Sequence, residues 1–390
     1  MPKIPKVLLM IESSREYGRQ LLRGIGRYAG LYGPWNFFMR EPFYYDVSGT
    51  NENLLRMIEK WDLDGIIMRE SPEIEQIVQL GVPTIICTYT REQIPGFISL
   101  VGDCAGAGKL AAEHLLERGL KHFAYCGLDD MYWSRERGVS FEKHIAEAGL
   151  KVQFYKQPSS KKKRLWNFEQ DIMIEWLKQL QKPIGLMTCT DDRSQNVVEA
   201  CKVANIHIPE EIAVIGVDND EFICELSNPP LTSVALNAGK AGYEAAEMLH
   251  NLMKSKKIKD TIVVAEATHV ALRQSTDILA IEDAEVIKAL NFIRQNARRT
   301  IQVDDVVSSV FLSQRALQQR FKKILGRTIH NEIKRIRLEY ICQLLLNSPK
   351  SIAEIAWELE FLSSEHIARY FKNEKNMTPR EFRRRFGSHL

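Results

Sequence analysis

The sequence predicts an α/β doubly wound domain followed by a smaller all-α domain made of two similar helix pairs. Three observations predict it. From Val7 to about Ala271, short apolar runs alternate with amphipathic helical patterns. After "LRQSTDILAIEDAE" (272–285) the strand-like runs cease, and helical patterns with interspersed Lys and Arg take over. The last hundred residues then repeat a pattern of their own. At 390 residues the chain is long enough for two or three domains with sizeable cores.

The elements follow in order. "VLLMI" (7–11), "GIIM" (65–68), "PTIIC" (83–87), "HFAYCG" (122–127), "GLMTC" (185–189) and "IAVIGV" (212–217) are near-continuous apolar runs, the signature of parallel strands buried on both faces. "GRQLLRGIGRYAG" (18–30) and "GKLAAEHLLERG" (108–119) carry helical spacing between them. Strand-helix alternation of this kind argues a doubly wound sheet, with ligands bound at the carboxyl ends of its strands. "SKKKR" (160–164) is expected to be an exposed loop. The division expected is 1–275 for this domain, 276–285 for a linker and 286–390 for the helical domain.

In the helical part, "DDVVSSVFLSQRALQQRFKK" (304–323) matches "AEIAWELEFLSSEHIARYFKN" (353–373). Ser313, Leu317, Phe321 and Lys322 align with Ser363, Ile367, Phe371 and Lys372, each 50 residues on. Ser351 with Glu354 forms a capping box, and Ile352, Ile355, Ala356 and Leu359 share one helical face. Between the copies, "NEIKRIRLEYICQLLLNS" (331–348) is one long amphipathic pattern, a rod joining two helix-turn-helix units. In such a unit the second helix enters the major groove, so its outward face is polar and irregular. Gln314, Arg315, Gln318 and Gln319 form that face in the first unit, and Ser364, Glu365, His366 and Arg369 in the second. Lys322 and Lys372 lie off the face as candidate phosphate contacts. In "MTPREFRRRF" (377–386), Thr378 caps a helix with Pro379 first and Glu381 three residues after the cap, followed by three arginines. Taken alone, each face also reads as a solvated helix surface. The repeat, the matching break and the charge balance together favour DNA.

That balance is uneven. From Ile281 to Leu390 there are 20 Lys+Arg against 13 Asp+Glu, while the first 280 residues carry 33 against 37. A basic end on an acidic body points to a polyanionic partner. Hydrophobic residues make up 45% without a membrane-spanning run, and the early apolar stretch is too short for a signal core and meets Glu12 at once. Seven cysteines, an odd number without Cys-x-x-Cys, exclude a disulfide framework and a zinc site, so a cytoplasmic protein is expected. His114, His122 and His144 lack metal spacing. "GDCAGAGKL" (102–110) is one residue too long for a phosphate loop and has Leu110 where Mg²⁺ needs Ser or Thr. No catalytic constellation emerges, and neither metal nor cofactor is expected.

On "SIAEIA", the Ser363-to-Lys372 spacing and "TPREFRRR", the last hundred residues resemble the DNA-binding domain of AraC/XylS-type transcription regulators. That family places Gly at each helix-turn-helix break, where a left-handed backbone is wanted. Here Phe311 and Glu360 stand there, at a cost of roughly 1 kcal/mol each or a changed turn.

Residues 5 to 275 resemble the sugar-sensing core of LacI-type repressors and periplasmic sugar-binding proteins. The resemblance rests on "GRQLLRGIGRYA", "GDCAGAGKLAAEHLLERG", "SRERGVSF", "TCTDDRSQ" and "IPEEIAVIGVDNDEFICELSNPPLTSV". A sensor first and a reader last, with "RQSTD" at the junction, is similar to the xylose-operon regulators of the AraC family. The resemblance implies a two-lobed sensor with Asp103, Arg137, Asp191 and Asp218 in its effector cleft. Asp and Arg suit that role, since sugar hydroxyls need paired hydrogen-bond partners. Ser13, Ser14 and Tyr17 follow the first strand and are further candidates, with stacking from among Phe43, Tyr44, Tyr89, Trp133 and Phe222. Each has a plainer alternative: a turn for Asp218, a surface charge for Arg137, a helix cap for Asp103, core packing for any one aromatic.

The function implied is a sugar-responsive regulator, an activator of sugar-catabolic genes. Its implied partners are operator DNA, a small sugar such as xylose or another pentose, a second copy in a homodimer, and RNA polymerase. A regulator sensing a purine or other non-sugar ligand, and a doubly wound enzyme with a helical accessory domain, remain the alternatives at this point.

Overall fold

The computed structural model describes residues 3–39, 58, 60–70, 74–255, 262–278 and 283–386. The chain starts with β1 (Lys6–Met10), α1 (Glu16–Tyr32), β2 (Asn36–Met39), β3 (Gly65–Arg69), α2 (Ile74–Gln79), β4 (Thr84–Cys87) and β5 (Ile98–Gly102). It crosses into a second lobe for α3 (Cys104–Leu116), β6 (His122–Cys126), α4 (Tyr132–Glu147), β7 (Val152–Phe154), α5 (Trp166–Gln179), β8 (Ile184–Thr188), α6 (Asp191–Val203), β9 (Ile212–Val217), α7 (Glu221–Leu226) and β10 (Thr232–Leu236). It returns to the first lobe for α8 (Ala238–Met253) and β11 (Ile262–Ala265), and crosses once more for β12 (Ala267–Ala271).

Each lobe is a six-stranded sheet with helices on both faces, ordered β11-β5-β4-β3-β1-β2 and β12-β10-β9-β8-β6-β7. Every pairing is parallel except β10 with β12. Valine, isoleucine and leucine of the central strands are fully buried, as strands covered on both faces require. In the first lobe, α1 lies close on α8. A Cβ on Gly24 would stand 2.0 Å from the Gly239 carbonyl oxygen, and one on Gly242 would stand 2.2 Å from that of Leu21.

The three crossings between lobes are tied together. The Asp103 amide donates to the Ala265 carbonyl at 2.9 Å, and the Asn237 amide donates to that of Glu266 at 2.8 Å. Two lobes on one bundled hinge leave a crevice between the carboxyl ends of their strands.

The helical region contains α9 (Ala284–Gln295), α10 (Val303–Ser308), α11 (Gln314–Leu325), α12 (Ile329–Asn347), α13 (Ile352–Glu358), α14 (Ser364–Lys375) and α15 (Pro379–Phe386). It has two separate cores. One gathers Val286, Leu290, Ile293, Val306, Leu317 and Phe321. The other gathers Ile341, Leu345, Ile355, Ile367, Phe371 and Phe382. The rod α12 feeds both, with Ile333 in the first and Ile341 in the second. Its 19 residues give a length of about 28 Å.

Of the stretch expected as a linker, 276–285, Thr276 is fully buried against lobe two and Ala284 and Glu285 begin α9. One expectation needs correction. "SKKKR" is not a plain loop: Lys161–Arg164 form a 3₁₀ turn, which Arg164 pins through its Nε to the Pro158 carbonyl at 2.6 Å.

Candidate effector cleft and nucleic-acid interface

The crevice is built around a buried guanidinium. Arg137, on the inner face of α4, is only 4% exposed. One of its terminal nitrogens donates to the Cys189 carbonyl, and the other to Asp218 Oδ1 at 3.2 Å. The Trp133 ring lies 5.1 Å from its carbon centre, and its Nε has no partner among the described residues. Burial pulls this guanidinium down, but Asp218 and its other neighbours together outweigh that and raise its pKa. Asp218 follows β9 with φ of 102°, a strained value for a residue with a side chain, and such strain concentrates at functional sites. Burial raises its carboxyl against the opposing pull of Arg137. Only Oδ1 is engaged among the described residues, which leaves Oδ2 able to accept from a ligand hydroxyl.

Asp191 stands beside the pair in a different role. It is 1% exposed, and both oxygens are in use: Oδ1 accepts from Ser233 Oγ at 2.6 Å and Oδ2 from the Asp220 amide at 2.7 Å. Burial, then the charge of Asp218, pushes its carboxyl well above the usual range. Its geometry fixes the 218–220 turn. Asp103 takes the plainer of its alternatives, capping α3 through Gly106 at 2.8 Å and accepting from the Ala267 amide at 3.2 Å. It therefore braces the hinge.

Tyr17 packs against the cores of both lobes, and burial raises its hydroxyl well above the ordinary range. Ser14 is exposed and donates to Glu12, while the backbone carbonyls of Ser13 and Ser14 hold Arg19. Of the candidate aromatics, Trp133 lies on Arg137 and Tyr89 lies 5.1 Å from Arg69, whereas Phe222 is 68% exposed and covers Arg19. Phe43 and Tyr44 fall outside the described residues.

Sequence reasoning missed the clasp that joins the lobes. The first amide of α1 has no cap from its own segment; Asp220 Oδ2, from the opposite lobe, accepts it at 2.7 Å and also accepts from Arg19 at 3.1 Å. Arg15 pairs with Asp192 across the same gap at 2.7 Å. The Tyr132 amide donates to the Tyr89 carbonyl at 2.9 Å, also between lobes. On the first-lobe wall, Arg69 pairs with Glu12 at 2.6 Å. Glu12 follows β1 and Arg69 ends β3, so the crevice rule pointed to them, and Asp220 sat unremarked in "VDND".

In the helical region the two units match closely. Ser313 caps α11 through the Ala316 amide at 3.4 Å, and Ser363 caps α14 through His366 at 3.2 Å. Both helices end in a left-handed residue, Gly326 and Asn376, 50 positions apart. Gln314, Arg315, Gln318, Gln319 and Lys322 are all exposed, as are Glu365, His366, Arg369 and Lys372; Ser364 is half-buried. Of the tail arginines, Arg383 is held by the Leu345 carbonyl at 2.9 Å, on the rod. The left-handed break occurs at Glu360, φ 55°, but Phe311 has no positive φ.

Comparison with known proteins agrees with both halves. A periplasmic binding protein-like domain matches residues 112–276 and a helix-turn-helix domain matches residues 306–385. The xylose operon regulatory protein of Haemophilus influenzae is 32% identical over 387 residues, covering 97% of this chain and 98% of that protein. That of Escherichia coli strain K12 is 30% identical, covering 97% and 96%. Among solved structures, the xylose-binding transcription activator xylR matches with a TM-score of 0.60 at 29% identity, over 99% of each chain. These relatives are regulators, not enzymes, which removes the enzyme alternative. The chain belongs to the family of xylose operon regulatory proteins, transcription regulators that join a periplasmic-binding-protein-like sensor to an AraC-type helix-turn-helix reader.

Proposed function

We propose that the sensor binds a small sugar, D-xylose or another pentose, between its lobes, and that binding changes how a homodimer presents its reader helices to operator DNA. The observation that carries this is the Arg137–Asp218 pair: among the described residues Arg137 Nε has no partner and Asp218 Oδ2 is open, and the guanidinium lies against the Trp133 ring. Paired donors and acceptors against an aromatic face suit a polyol. Asp218, Arg137, Trp133 and Tyr17 are the contacts; Asp191, Asp103 and Asp220 hold them in place. Ser13 and Ser14 are further contacts, from the segment after the first strand.

A ligand shifts closure only by binding one state better than the other. The Asp220 cap on α1 and the Arg15–Asp192 pair exist only while the lobes meet, so they define the closed state. Residues 1–275 act as the sensor and 286–390 as the reader, in the cytoplasm, where the operator is. Activation of sugar-catabolic genes, with RNA polymerase as partner, is the regulatory direction we assign. Gln314, Arg315, Gln318 and Gln319 read bases in one half of the site and Ser364, Glu365, His366 and Arg369 in the other, while Lys322 and Lys372 hold phosphates.

A thermal-shift screen of pentoses, hexoses, adenine and guanine tests the ligand class, because a molecule that binds the native state raises its stability. A shift with a pentose, lost in Arg137→Ala, is expected. A shift with a purine and none with any sugar would replace this reading.

A further inference from the structure

Where lobe two meets the rod α12, there is a cavity of about 290 Å³ lined from both sides. The sensor contributes Arg118, Arg273 and Asp277; the reader contributes Arg294, Arg335 and Glu339. Arg335 is saturated with carboxylates, pairing with Glu117 at 2.6 Å, Glu332 at 2.9 Å and Glu339 at 3.2 Å. Glu339 is thereby accounted for. The other three guanidiniums are not. Arg118, 6% exposed, donates only to the Thr276 carbonyl and to His114, and has no ion pair with a carboxylate among the described residues. Arg273 donates to the Asn219 side chain and the Leu231 carbonyl, again without a carboxylate. Arg294 meets only Asp277, at 3.5 Å, whose side chain is 72% exposed.

A guanidinium buried this deeply needs a counter-charge. Burial, together with the nearby charge of Arg294, holds Arg118 down at about 9 against the opposing pull of Glu339 and Glu117. Guanidinium nitrogens donate to phosphate oxygens, and three guanidiniums lining one cavity, with one terminal nitrogen of Arg118 uncommitted among the described residues, suit an anion better than a neutral polyol.

We propose that this junction cavity is a second ligand site, taking a small phosphate-bearing anion, either inorganic phosphate or the ester of a small sugar. It is lined from just past α3, from the segment after β12, and from the reader's α9 and α12; neither Arg137 nor Asp218 lines it, although Arg273 also bonds Asn219 beside the crevice, and it does not depend on what that crevice binds. Because its walls belong to both sensor and reader, an occupant ties one to the other and adds a second input to the position of the DNA-binding helices.

The test uses the full chain at constant ionic strength, titrated calorimetrically with inorganic phosphate, ribose 5-phosphate and neutral ribose. Binding of either phosphate compound is expected. It should weaken about tenfold or more in Arg294→Gln, which loses one charged contact, and in Arg118→Lys, which keeps the charge but loses the planar guanidinium. Asp218→Asn should leave it intact. The proposal is overturned if neither phosphate compound binds below about 10 mM, if both arginine variants bind as the parent does, or if Asp218→Asn abolishes binding, which would return the anion to the crevice.

Discussion

The two helix-turn-helix units carry reader helices of equal length with matching caps, yet their turns are braced in opposite ways. In the second unit Glu360 adopts the left-handed backbone the turn wants, and Arg337 of the rod holds the carbonyl of the residue before it. That arginine is 7% exposed, donates to the Leu359 carbonyl and to that of Arg299, and stands 4.4 Å from the Phe361 ring. In the first unit the turn has another path. Phe311 is 90% exposed; its amide donates to Glu285 of α9 at 2.6 Å, and Lys288 of the same helix covers its ring. The repeat therefore specifies the reading helices and their caps, while each brace comes from outside the repeat. One brace is buried in a core and the other lies on the surface, so the units should differ in how far their reader helices can be reoriented.

The largest effect should come from removing the buried brace. Arg337→Ala deletes two charged hydrogen bonds and a desolvated cation–π contact, and should cost about 3 kcal/mol of stability in the second unit. Thermal or urea unfolding of the full chain reads it. Glu285→Ala, the surface counterpart, should cost visibly less; equal losses would break the distinction.

Next come the reading faces. Arg315→Ala should cost about 1–3 kcal/mol on the operator and relax specificity at one or two base pairs. Lys322→Ala should weaken all DNA alike and lower the salt slope by about one unit. Selection of binding sites by each variant separates the two outcomes, and a uniform loss for Arg315→Ala would mean that it holds the backbone instead. The two helices are expected to enter successive major grooves roughly 34 Å apart on one side of the duplex, which footprinting checks.

The smallest effect concerns the turns themselves. Glu360→Gly relieves a positive φ and should gain up to about 1 kcal/mol, less whatever the Glu360 contact to the Thr300 amide supplies. Phe311→Gly relieves nothing and should not stabilise. A gain at both positions would show that the two turns share one geometry after all.

The same contrast between pattern and brace explains what the sequence made legible. β1, β3, β4, β6, β8 and β9 stand out because they are continuous apolar runs. β10 does not, because Thr232 and Ser233 interrupt it, although both are fully buried and hydrogen-bonded to Ser275 and Asp191. The edge strands β2 and β7 are short and mostly exposed, so they carry too little burial to show. In the crevice, Arg137 and Asp218 are hydrogen-bonded to each other. Asp191 and Asp103 are already engaged by neighbouring residues, which spacing along the chain does not reveal. The clasp by Asp220 joins residues 204 positions apart, a distance at which no local pattern speaks.

The central claim is that the Arg137–Asp218 pair receives the sugar. Calorimetric titration of D-xylose into the full chain, beside Asp218→Asn, tests it most directly. The account predicts that the parent binds xylose or a related pentose. The variant should lose about 1.5–3 kcal/mol of that binding, with operator affinity in the absence of sugar unchanged. A variant that binds the sugar as tightly as the parent would contradict it.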